Sequence, residues 1–123
     1  LKVTPIKLQG HNVECSGYIF NDGEVVHISD FRDIPESAFE FIKRRPEVLI
    51  MPLTTPEGTR FHAGLTTLLE YAERIKAKKT IITHMAVECD YAAVKAQCPA
   101  GVEPAYDGYE AEWADAGAQA EGF

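Results

Sequence analysis

Residues 60–85, RFHAGLTTLLEYAERIKAKKTIITHM, set two hydrophobic rhythms side by side. In the first, Leu65, Leu68, Leu69, Ala72 and Ile75 recur every three or four positions and so share one face of a helix running from about Gly64 to Ala77. In the second, KTIITHM is a short apolar run of strand length that ends on Thr83 and His84 before the chain turns polar. The flanks extend the pattern. Upstream, EVLIMPL is a continuous apolar strand whose pairing Pro52 limits. It is joined to the helix by the polar loop TTPEGTRFHAG. Downstream, DYAAVKAQ reads as a short helix started by Asp90 and stopped by Pro99, and GVEPAYDGYEAEW as a last strand-like piece. Strand, helix, strand, helix, strand in this order predicts helices laid over one face of a sheet.

The amino-terminal third has a different rhythm. Residues 2–9, 13–21 and 24–30 are extended, and Asp22-Gly23 between β-rich runs signals a hairpin, because both turn positions tolerate positive φ. IPESAFEFIKRR then predicts a short amphipathic helix, with Pro35 in its first turn, Ala38, Phe39 and Ile42 along one face and basic residues at its end. The expected fold class is therefore α/β with α+β character, one mixed sheet covered by helices on one face. The opening strands have no helix of their own and need some other cover.

Composition narrows the function. The 123 residues are 46% hydrophobic and 25% charged, which excludes wholesale disorder. No apolar run approaches the ~20 residues that cross a bilayer, and the opening lacks a secretory layout, so a cytoplasmic location is expected. Of the 19 acids, 13 stand in residues 1–100 against all 12 bases, and the remaining six in residues 101–123 meet no base. That balance lacks the footprint of a nucleic-acid binder, so no nucleic-acid partner is expected. Cys15, Cys89 and Cys98 have neither the pairing nor the spacing of a disulfide framework or a thiolate zinc site, and read as buried or idle thiols. The sequence opens on Leu1 rather than Met, directly in a strand-like stretch, so either a fragment or a processed chain is expected.

The chemistry is carried by histidines and one aspartate. His11 follows Gly10 at a strand exit, His62 sits in the loop before the helix, His84 ends a buried strand, and Asp30 ends VVHISD. Imidazoles and a carboxylate gathered at strand ends are how a sheet edge builds a metal site. Asp30 is the key member, since two carboxylate oxygens can bridge two cations, as a two-metal hydrolase requires. His27 alternates to the opposite face from Asp30 and is left out of this set.

Taken in order, GHNVECSGYIF, VVHISDF, the 60–85 stretch, ECDY and GVEPAYDGYE resemble the carboxy-terminal half of the metallo-β-lactamase superfamily. Within it they are most similar to the phosphonate-operon phosphodiesterases that open cyclic ribose phosphates. The resemblance covers roughly residues 3 to 112. It implies half of an αββα sandwich over residues 1–113, with 114–123 a loose acidic tail. It also implies His11, Asp30 and His84 as metal ligands, with Asp30 the bridge, and His62 as the acid that protonates the departing oxygen. Arg60 becomes a candidate phosphate contact. Zinc or manganese, two per complete site, would be the cofactor, and a small phosphodiester the substrate.

The departures matter as much. The superfamily's His-x-His-x-Asp-His motif belongs to its amino-terminal half, and no two histidines here are separated by one residue. Val87 stands where close relatives often carry a further histidine, and Met51 where many carry an aspartate. Three outcomes follow as expectations: a phosphodiesterase that needs an amino-terminal half, a non-catalytic remnant, or an RNA-processing nuclease of the same superfamily. A half sandwich would leave one sheet face apolar and uncovered, so self-association as a homodimer is expected.

Overall fold

The computed structural model describes residues 1–10 and 13–113. Their strands, β1 (Val3–Gly10), β2 (Val13–Phe20), β3 (Val25–His27), β4 (Val48–Pro52), β5 (Lys79–Thr83) and β6 (Val102–Pro104), form one sheet in sequence order. β1, β2 and β3 pair antiparallel, and β3 through β6 pair parallel. Parallel neighbours need crossovers, and each crossover here carries a helix: α1 (Glu36–Phe39), α2 (Leu65–Ile75) and α3 (Tyr91–Gln97). The mixed sheet with helices on one face is the architecture the sequence predicts.

The helix-covered face is the core. Ile6, Leu8, Ile19, Val26, Leu49, Met51 and Ile82 from the sheet pack with Leu65, Leu68 and Ala72 of α2, Val94 of α3 and Ala38 of α1. Each fully buried aliphatic side chain here contributes about 1.5–3 kcal/mol. α2 starts on Gly64 and ends on Lys76 in the left-handed conformation, close to the bounds its periodicity predicts. α3 starts where expected, with the Asp90 carboxylate accepting from the Ala93 amide at 2.9 Å.

Three local expectations need correction. Of the strand-like piece GVEPAYDGYEAEW only Val102–Pro104 joins the sheet, and residues 105–113 leave it. The hairpin turns on Asn21 and Asp22, both at positive φ, with Gly23 as a third turn residue whose amide, like that of Glu24, bonds the Phe20 carbonyl. A single Asp-Gly pair is too short for it. The helix read from IPESAFEFIKRR lasts one turn, because the Lys43 amide bonds the hairpin carbonyl of Asp22 and so leaves the helical ladder. Arg44 then bonds the buried carboxylate of Glu47, and Arg45 the Lys76 carbonyl.

The second sheet face is covered differently. Residues 105–113 fold back over β3, β4 and β5 and enclose a groove of about 530 Å³ lined by Val25, Val48, Ile50, Ile81, Tyr109 and Trp113, among others. Tyr109 donates from its hydroxyl to Glu103, which also pairs with Lys79 at 3.2 Å, and the Trp113 indole donates to Glu24 at 3.2 Å. Over β1 and β2 this strap does not reach, and Val3 and Tyr18 stay 46% and 40% exposed.

Candidate functional site at the carboxyl edge of the sheet

Parallel strands that end together leave a crevice at their carboxyl ends, and ligands of open α/β sheets bind there. In this chain β3 runs out into Ile28, Ser29 and Asp30, β4 stops at Pro52, and β5 stops at Thr83 with His84 next. His84 has φ 59°, an uncommon conformation for a residue with a side chain, and it breaks β5 sharply at this point. Its Nε2 lies 3.6 Å from Oδ1 of Asp30. Both side chains are well exposed, at 64% and 40%, so the pair is held open to solvent and is accessible to a ligand.

This pair lines a cavity of about 420 Å³ together with His27, Ser29, Pro52 and Thr83. His27 is thus brought to the same cavity as Asp30, contrary to the alternation argument. Alternation holds only within a strand, and β3 ends at His27, so the three residues that follow are free to carry Asp30 around the edge. On the other side of His84 a second cavity, about 340 Å³, adds Met85, Tyr106 and Asp107. Asp107 and Tyr106 had no place in the residue-by-residue reading. The Asp-Gly turn just past a strand end was the available signal for them.

The loop of His62 runs beside that of Asp30. The Ala63 amide donates to the Phe31 carbonyl at 2.9 Å, joining the residue after His62 to the residue after Asp30. Arg60 caps the Phe61 ring at 5.1 Å and is exposed, and its carbonyl accepts from Arg32 Nη1 at 2.7 Å. His11 lies outside the described residues.

As metal donors, Asp30 and His84 have the right chemistry, a carboxylate and an imidazole whose oxygen and nitrogen suit zinc, manganese or iron. They are two donors, and no group of three or more His, Cys, Asp or Glu able to hold an ion occurs among the described residues. Two donors are fewer than a complete coordination shell requires. The two positions singled out as departures behave differently. Met51 is fully buried in the core, turned from the cavity, and Val87 is 97% exposed beyond His84. Burial pushes the thiols of Cys89 and Cys98 up, which disfavours their thiolates, and Cys89 Sγ donates to the carbonyls of Leu53 and Thr54.

No protein-family model and no curated protein matches the chain. Solved structures do. A diphosphatase from the PhnP family superposes with a TM-score of 0.81 at 28% identity, over 91% of this chain and 43% of that one. The metallo-β-lactamase fold protein YhfI from Bacillus subtilis gives 0.70 at 17% identity, over 87% and 47%. Human tRNase Z, short form, gives 0.62 at 14% identity, over 84% and 39%. This chain spans less than half the length of each. The last two show the fold alone. No helix among the described residues is long and apolar enough to cross a membrane.

Proposed function

We propose that this chain, whose fold is half of a metallo-β-lactamase fold, is the general-acid-bearing half of a metal-dependent hydrolase of phosphodiester or diphosphate bonds, of the cyclic ribose phosphate type. The observation that carries the reading is the Asp30–His84 pair, 3.6 Å apart at the carboxyl edge of the parallel strands. The likeness at 28% identity to a PhnP-family diphosphatase supports it. Divalent zinc or manganese, when bound, would supply a hydroxide nucleophile and offset charge on the phosphoryl oxygens. Asp30 and His84 would hold it with His11, and the remaining donors would come from a His-x-His-x-Asp-His half packed on the second sheet face. His62 protonates the departing oxygen, and Arg60 meets a phosphate oxygen from the same loop. The exposed Val3 and Tyr18 mark where a second surface is needed, supplied by that half or by a second copy of the chain.

The test combines this chain with an amino-terminal half carrying the missing motif. Manganese- or zinc-dependent cleavage of a cyclic ribose phosphate should appear and fall by about 100-fold or more with His84→Ala or Asp30→Ala. Equal hydrolysis by those variants would overturn the assignment.

A further inference from the structure

We propose that Arg32 and Thr59 are positioning residues for His62, a strut and a clamp that fix the turn carrying the acid against the loop carrying Asp30. The proposal rests on the general-acid reading above.

Thr59 holds both backbone polar groups of His62. Its amide donates to the His62 carbonyl at 2.8 Å, and its Oγ1 accepts from the amides of Phe61 and His62, each at 3.1 Å. A hydroxyl that gathers the amides two and three residues on makes a closed local turn. Arg32 reaches the middle of that turn from outside, donating from Nη1 to the Arg60 carbonyl at 2.7 Å. The foot of the strut is itself anchored. The Arg32 amide donates to the Gln9 carbonyl at 2.5 Å, and the Gln9 amide to the Asp33 carbonyl at 3.0 Å, which stitches residues 32–33 to the end of β1.

The turn is also pinned at its two ends. The Ala63 amide bonds the Phe31 carbonyl at 2.9 Å, and Gly58 and Gly64 pass so closely that a Cβ on Gly58 would lie 2.5 Å from the Gly64 nitrogen. A surface loop needs none of this. A general acid does, because it must stand within hydrogen-bond reach of a particular oxygen, and a displacement of about 1 Å can cost ~100-fold in rate. Arg32 follows Asp30 by two residues, so the strut makes the acid and the metal-site carboxylate parts of one body.

Amide hydrogen exchange on the whole chain tests the strut without any activity. Arg32→Ala and Thr59→Ala should speed exchange at Phe61 and His62 by about tenfold while Leu68 and Ile82 keep their rates. Thr59→Ser and Arg32→Lys, which keep a donor or hydroxyl in place, should restore protection. Unchanged exchange at His62 in both alanine variants overturns the proposal. In the complemented enzyme, Arg32→Ala should slow an alkyl phosphodiester about 10- to 100-fold and a nitrophenyl ester hardly at all, as His62→Ala does, because a good leaving group needs no acid. Selective loss in His62→Ala without it in Arg32→Ala overturns the positioning role. Equal loss of both esters in His62→Ala overturns the general-acid reading, and the exchange rates still judge the strut.

Discussion

Ile81 and Ile82 are neighbours on β5 and face two different worlds. Ile82 is fully buried under the helices, in a layer built from leucines and isoleucines of five elements. Ile81, 6% exposed, is sealed on the other face by the strap of residues 105–113 and lines its groove. Near-equal burial conceals unequal support. The helices are fixed by crossovers and by their own ladders, whereas the strap is held by one backbone bond, from the Ala105 amide to the Ile82 carbonyl, and by the side-chain bonds of Tyr109 and Trp113. The first face is a core, and the second is a joint.

Substituting the two isoleucines in turn breaks or confirms that distinction. Ile82→Ala should cost about 3–5 kcal/mol in urea denaturation, because the packed layer cannot collapse around the missing atoms. Ile81→Ala should cost about 2 kcal/mol or less, since the strap can settle into the space. Equal losses would mean that the strap is as rigid as the helices.

A second substitution tests the joint between fold and site. A Cβ on Gly64 would lie 2.5–2.7 Å from backbone atoms of Glu57 and Gly58, so the side chain cannot be absorbed by a rotamer change. Gly64→Ala should destabilise by about 1–3 kcal/mol and shift the 55–64 loop, seen as altered exchange at His62 with the α2 amides unmoved. A smaller effect tests the carboxyl-edge helix: Asp90→Ala removes the bond to Ala93 and should cost about 1 kcal/mol.

The contrast between the faces also explains what could be read in advance. Strong periodicity over a packed layer makes α2, β4 and β5 legible, and Pro52 marks the end of β4 as predicted. The strap carries no such rhythm. AYDGYEAEW is neither alternating nor helical, and its place follows from tertiary bonds of Tyr109 and Trp113 that no local pattern encodes. The site shows the same division. Asp30 and His84 were legible as polar residues at strand ends and do meet, whereas the period-two argument that placed His27 on the opposite face was carried past the end of a three-residue strand, and His27 lines the same cavity. Arg32 and Thr59 bond to backbone groups, which leave no signature in residue types.

The smallest expected effect is electrostatic and belongs to the bonds that tie the strap to β5 and β6. The Tyr109 hydroxyl, and after it the Lys79 ammonium, hold the Glu103 carboxyl below its ordinary value of 4.5. A carboxyl with a lowered pKa in the fold contributes its stabilisation above the unfolded value and loses it as pH falls through the folded one. Tyr109 is shifted upward, first by burial and then by the bond to Glu103, so its contribution is present below its ordinary value of 10.0 and lost at higher pH. The strap should therefore loosen below the ordinary carboxyl range and again in alkali, with the core intact at both ends. Trp113 is the single tryptophan and sits on the strap, so its emission reads the event directly. An acid-side red shift is expected in the native protein and not in Glu103→Gln, where the acid limb has been removed. If the shift persists in Glu103→Gln, the Glu103 bonds do not hold the strap, and the second face owes its cover to the groove contacts of Tyr109 and Trp113 instead.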